Sequence, residues 1–276
     1  MAGSIPTKAG KSEPGKGASR IAALFGAGGW DPKPTIVVVA IILGLMEIAS
    51  WFTPSYVMPG VLSIGTALVQ LLTVDLHHVL TTLLRLVVAM TFAIAVGTAL
   101  GCIMGMFRPI QPYLRSLVII DAGIPALSWM LIAVFWFRDP EIRIFFILTV
   151  IIIPFYALNV HDAIRALPKD WVEAIGTFRP SLFQVFWLLV LPHIVPYVLM
   201  TTRSIIGYAT RMVIFAELIG AAVGIGSAMG LAQGAFEMNV VLAWTVLLVI
   251  LNLIFQQLIG LVEARALRYR PEATIR

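Results

Sequence analysis

Long apolar runs alternate with short polar ones along most of the chain. Six of them, near 35–52, 79–106, 117–137, 142–160, 183–203 and 239–262, approach or exceed the length of a bilayer-crossing helix, which takes about 20 residues. Each is predicted to span a membrane. Region 204–235 is also apolar, yet its glycines and alanines predict broken helices packed on protein instead of a clean lipid-facing span. Segment 61–73 is too short to cross and reads as an interfacial or re-entrant helix. Residues 1–34 carry Lys8, Lys11, Lys16, Arg20 and Lys33 among Gly, Ser and Pro, a composition that builds no packed core. The expected organisation is a flexible basic tail over 1–34, a transmembrane unit over 35–270 and a short tail over 271–276. No apolar stretch follows a short basic start, so no secretory leader is expected.

Composition narrows the class. Of 276 residues, 60% are hydrophobic and 12% charged, with a mean hydropathy of +0.97; soluble domains average roughly 45–50% apolar and about 25% charged. Too few polar side chains remain to cover a water-soluble fold of this size. This excludes an ordinary soluble enzyme and a disordered chain. The pI of 9.6 does not indicate nucleic acid either, because in a membrane protein the placement of positive charge matters more than its sum. With the N-terminus cytoplasmic, fourteen lysines and arginines fall on inside segments and only Arg138 and Arg143 outside. That bias, and an even number of spans, put both termini in the cytoplasm. Trp51, Tyr56, Trp129, Trp136, Tyr197 and Trp244 lie near span ends, as an aromatic belt would. With one cysteine, Cys102, no intrachain disulfide is possible.

The most informative polar stretch is 159–192, on the cytoplasmic side between two spans. Asp162, Arg165, Lys169, Asp170 and Glu173 interleave with Ala163, Ile164, Leu167, Trp171, Val172, Ala174 and Ile175. The pattern predicts a short amphipathic helix that starts after Pro168 and ends near Gly176. It is either a plain surface helix joining two spans or a docking helix that sets its apolar face in a partner's groove. Trp171 and Val172 are the candidate anchors, with Asp170 and Glu173 orienting on the rim.

Here the chain resembles the membrane subunits of ATP-binding-cassette importers. Their cytoplasmic signature runs Glu-Ala-Ala, three residues, Gly, nine residues, Ile, one residue, Leu-Pro. This chain has Glu173, Ala174 and Ile175, then Arg179, then Leu189, Leu191 and Pro192. The spacing matches; Ile175 replaces the second Ala and Arg179 replaces the Gly, and Gly176 is expected to supply the turn three residues early. Met46-Glu47 before Met58-Pro59, His78–Arg85 entering a glycine-rich span, Pro125–Trp129, Ala216-Glu217-Leu218, Gly224-Ile225-Gly226 and Glu263-Ala264-Arg265 follow the order seen in the nitrate, sulfonate, taurine and bicarbonate branch. The resemblance covers about 35–270. It implies an all-α, multi-pass permease of the type I importer fold, in a bacterial-type inner membrane, with about six transmembrane helices and a cytoplasmic coupling helix. It further implies a homodimer with a second permease copy, two cytoplasmic ATPase subunits that bind ATP and Mg, an external solute-binding protein, and a small anion as cargo. Coupling falls to Asp170, Trp171, Val172, Glu173, Ala174, Arg179, Leu191 and Pro192. The chain has no phosphate-loop motif of its own, so no cofactor and no catalytic residue are expected in it.

Intramembrane charges are costly and therefore informative. Asp121 precedes Gly123 and Pro125 in an interrupted helix, and Arg203, Arg211 and Glu217 share one segment. These four are the candidate pathway residues; an arginine there would favour an anion. Arg85, near a span end, reads as a snorkelling cation. Gly97, Gly101 and Gly105, four apart, predict close packing inside the subunit or a contact between copies. Gly224 and Gly226 predict a sharp turn that breaks a helix. His77-His78 reads as a loop pair, and His161 and His193 lack metal-ligand spacing, so no metal is expected. The competing class is a secondary transporter driven by an ion gradient, which commonly carries inverted repeats and mid-membrane ionisable groups; no convincing repeat relates the halves.

Overall fold

The computed structural model describes residues 32–266; nearly all of the basic N-terminal tail and the whole of the C-terminal tail lie outside the described residues. Among them the chain is all α, without a strand. Helices α1 (Pro32–Ser50) and α2 (Val61–Thr73) lead into α3 (Leu76–Met106), then α4 (Gln111–Gly123), α5 (Ala126–Trp136) and α6 (Pro140–Arg165). The short α7 (Lys169–Gly176) precedes α8 (Leu182–Val185), a π-helical segment (Phe186–Val190) and α9 (Leu191–Gly220). Helices α10 (Ile225–Gly234) and α11 (Met238–Ala266) complete the order.

Helices α3, α6 and α11 and the continuous stretch Leu182–Gly220 are long and apolar enough to cross a membrane. Their ends sort into two groups. At one end His78 meets Gly224 and Arg85 meets Glu141 and Glu217. At the other, Gln111 meets His161 and Ala163 meets His193. Helices α3 and α6 therefore run parallel, and the chain returns between them through α4 and α5. That pair is bent by 93°, because Pro125 forces Ile124 into extended backbone (ψ 126°) and removes a helical donor. Its termini nonetheless sit at opposite ends, Gln111 beside His161 and Phe137 under Arg143, so it is one passage, broken as the sequence indicates.

Three sequence expectations change. Helix α9 runs unbroken to Gly220, so 204–220 continues the preceding span, and only 221–235 is broken. The π-helical segment before Leu191 adjusts the helix next to Pro192 and Pro196, whose missing N–H groups cannot serve an α-helical ladder. Of the six expected passages, four are unbroken helices and one is the bent pair among the described residues; in the sixth, α1, the apolar part, Val37–Ser50, is shorter than a full span. Third, Trp244 is buried in a cluster with Ile64, Leu71 and Ile225 instead of joining a belt, whereas Trp51, Tyr56 and Trp136 are exposed.

The core lies between α3, α6 and α9, where Leu86, Met90, Ile144, Leu148, Ile206 and Val213 are buried together. The glycine stripe of α3 faces α6 within the subunit. A Cβ on Gly97 would stand 2.7 Å from the Tyr156 Cβ, and one on Gly101 2.7 Å from the Val160 Cβ and 2.8 Å from the Ala157 carbonyl. Only hydrogen fits, so the two backbones pack in direct contact.

Candidate functional site

At the α7 end the chain leaves the core. Pro168 (φ −58°) starts α7 with fixed geometry, and none of the eight helical residues is buried. Trp171 is 50% and Val172 49% exposed, so about half of each apolar side chain is left uncovered by the described residues. Asp170 sits in the first turn, where the helix dipole favours a carboxylate. Gly176 is helical and does not make the turn expected of it. Arg179 does, with φ +49°, the left-handed conformation for which glycine is best suited. The signature's glycine position thus keeps its backbone shape with a different side chain. A capping box of Ser181 and Gln184 restarts the helix. Trp171 meets the His193 ring edge-on at 6.4 Å, and the His193 Nε2 lies 3.0 Å from the Ala163 carbonyl of α6. Leu191 is half-buried and Pro192 exposed beside them. His193 of α9 thus stands between α7 and α6.

The opposite end carries a buried clamp. Glu217 is 0% exposed. Its carboxylate accepts hydrogen bonds from the Thr82 hydroxyl at 2.9 Å, Arg85 Nη1 at 2.7 Å and the Gly226 N–H at 2.9 Å. Thr82 in turn accepts from the Ile225 N–H. Arg85 also donates to the Val223 carbonyl and to both oxygens of Glu141. Its side chain is only 8% exposed, so it does not snorkel. Gly224, at φ +129°, holds a backbone that an L side chain rarely adopts and presents its N–H to His78 Nδ1. Arg143 adds bonds to the Phe137 and Gly220 carbonyls. Thr82, Arg85, Glu141 and Arg143 were not singled out as a site by sequence; the available signal was a charge near the same end of three separate spans.

The remaining candidates are scattered. Arg203 pairs with Glu263 at 3.3 Å. Asp121 and Trp129 line a cavity of about 130 Å³ at the α4–α5 break, with Pro154 and Tyr208 opposite. Arg211 is exposed, makes no ion pair among the described residues and donates only to the Gly207 carbonyl of its own helix. It lies nine residues from Gly220, about 13 Å along α9, in a groove of about 380 Å³ with Thr210, Phe215, Thr245 and Asn252. Asp75, His77 and His78 lie close enough to share a metal ion. His77 and His78 are in the first turn of α3 and not in a loop. Because His78 Nδ1 accepts the Gly224 N–H, its neutral ring carries its proton on Nε2, which makes ligation there unfavourable.

Residues 93–268 match the model of a family described as the binding-protein-dependent transport system inner membrane component. The chain belongs to this family. A nitrate import permease protein of Leptolyngbya laminosa is 24% identical over 185 residues, 66% of this chain and 65% of that protein. The taurine transport system permease protein of Escherichia coli is 25% identical over 180 residues, 65% and 66% of the two chains. A bicarbonate transport system permease protein of Synechococcus elongatus is 28% identical over 142 residues, 50% and 51% of the two. The chain thus spans just under two thirds of the nitrate and taurine permeases. Among solved structures, an inward-facing methionine transporter, MetNI, matches with a TM-score of 0.64 at 20% identity, over 69% of this chain and 95% of that one. That likeness shows the fold. The family and its fold agree with the multi-pass, all-α importer-permease architecture expected from the sequence, and these relatives are permease proteins and not enzymes.

Proposed function

We propose that this chain is the permease subunit of an ATP-driven importer for a small anion such as nitrate, a sulfonate, taurine or bicarbonate. Two copies form the pathway, two cytoplasmic ATPase subunits grip α7, and an external solute-binding protein delivers cargo; ATP and Mg are held by the ATPases. The observation that carries this proposal is α7 itself: a fixed amphipathic helix, wholly outside the core, with Trp171 and Val172 uncovered and a direct link through His193 to α6. An apolar face held in water lacks a partner, and a helix in a groove is the standard way to provide one. On this proposal the α7 end faces the cytoplasm, α1 is a sixth passage that starts on that side, and both termini lie there.

The family's relatives named for nitrate, taurine and bicarbonate support an anion. So does Arg211, a cation without an ion-pair partner among the described residues, well inside a membrane-crossing helix. An isolated charge at such depth faces a cavity or another chain in preference to lipid. Asp121, in its own cavity one passage away, is the second pathway candidate. Arg203 and Glu217, committed to Glu263 and to the clamp, respond to the pathway through those bonds.

The test is Glu173→Arg combined with Ala174→Asp. Both positions are exposed, so the protein should insert and fold normally yet lose ATPase binding and nucleotide-dependent uptake in proteoliposomes. Undiminished uptake by this double variant would overturn the assignment.

A further inference from the structure

Behind α7 lies a cavity of about 750 Å³, at the level where α3 and α6 end and α4 begins. Arg108, Arg165 and Lys169 line it, and no carboxylate does. None of these three cations has an ion-pair partner among the described residues; the one pair that reaches this wall joins His161 Nδ1 to the Asp162 carboxylate at 3.0 Å. Gln111 and His161, also on the wall, are 3.2 Å from each other and satisfied. The other wall is apolar, built from Val172, Leu182, Leu189 and Val190.

We propose that this cavity seats the head group of an anionic phospholipid. Three like charges on one wall, none of them paired to a carboxylate, favour an anion of more than one negative oxygen. The cavity lies at a span terminus, where head groups are found. Its apolar rim continues into side chains that nothing among the described residues covers: Leu182, Phe183, Trp187 and Leu188 are all at least half exposed. An acyl chain finds apolar surface there, and Trp187 belongs at the interface. The π-helical segment places Leu189 and Val190 on the inner wall and Trp187 and Leu188 outside, so one element serves both halves of an amphipathic ligand. A soluble acidic peptide would satisfy the cations and leave that rim uncovered. The inference needs only that the α7 end lie at a membrane surface. It does not need the chain to carry solute or bind an ATPase.

The full-length chain is purified without partners and offered dioleoyl phosphatidylglycerol and dioleoyl phosphatidylcholine in equal amounts. Native mass spectrometry then counts the lipid retained. Phosphatidylglycerol should be retained preferentially, and each of Arg108→Gln, Arg165→Gln and Lys169→Gln should reduce the preference about five-fold, in keeping with the usual contribution of one surface cation. Arg138→Gln, at the opposite end, should leave it unchanged. Leu182→Ser should weaken phosphatidylglycerol retention with the cations intact. Equal retention of the two lipids, or a preference untouched in the triple variant, overturns the proposal. Displacement of the lipid by millimolar inorganic phosphate overturns it too, because the site would then be a phosphate site and not a lipid site. Nucleotide and solute are absent throughout, so failure here is distinct from failure of the importer assignment.

Discussion

Arg211 and Arg85 are both arginines inside apolar helices, and their surroundings give them opposite roles. Arg85 has two carboxylates and a carbonyl within reach; removing one partner of so buried a pair costs about 3–5 kcal/mol, so it holds the fold. Arg211 has only its own backbone and is available to a solute. Arg211→Ala is expected to raise the half-saturating solute concentration roughly ten- to a hundred-fold, the equivalent of a charged hydrogen bond of about 1.5–3 kcal/mol, while Arg211→Lys retains part of the affinity. Uptake measured at limiting and at saturating solute separates this from a folding defect, which would lower both, and an unchanged half-saturation would assign Arg211 a structural role. The difference between the two arginines was not legible in the sequence. Arg85 and Glu217 are 132 residues apart, and no local pattern reports such a pairing. Arg179 was misread for a related reason: a left-handed φ is rare outside glycine, so the turn was assigned to the nearest glycine, Gly176.

Elements were easier to read where composition marks both ends. Pro168 and Gly176 bound α7 to the residue, and Gly123 with Pro125 located the break between α4 and α5. The π-helical segment was invisible, because Phe186–Val190 is apolar like any span interior. The glycine stripe left two partners open, a second copy or a neighbour in the same chain, since a four-residue spacing names a face and not what it meets. Its position against α6 makes a sharp demand. Gly101→Leu must displace the Ala157 backbone or the Val160 side chain and should destabilise the chain by about 1–3 kcal/mol or more, as overpacking does. Gly44→Leu, with open space around it, should have little effect. Thermal unfolding of the two purified variants in one detergent compares them directly; equal midpoints would contradict the close α3–α6 approach.

At the scale of the molecule, the ends of the passages fix which loops share a side, and the proposal that the α7 side is cytoplasmic rests on the charge bias. The native thiol Cys102 is buried and offers little background to labelling. A cysteine at Thr177, exposed at the α7 end, should react with a membrane-impermeant maleimide only after intact cells are permeabilised. One at Glu237, exposed ahead of α11 at the clamp end, should react before. The reverse pattern would invert the protein and remove α7 from any cytoplasmic ATPase.

Helices α3 and α6 touch through three successive glycines and end together beside α7, while their other termini are tied by Arg85 and Glu141, about 30 Å away by the rise of α6 between Glu141 and His161. Two parallel rods fastened along their length bend far less than either alone. On the proposed coupling role, a nudge delivered at the α7 tip should arrive at the clamp end as tilt of the pair instead of dissipating as flexure.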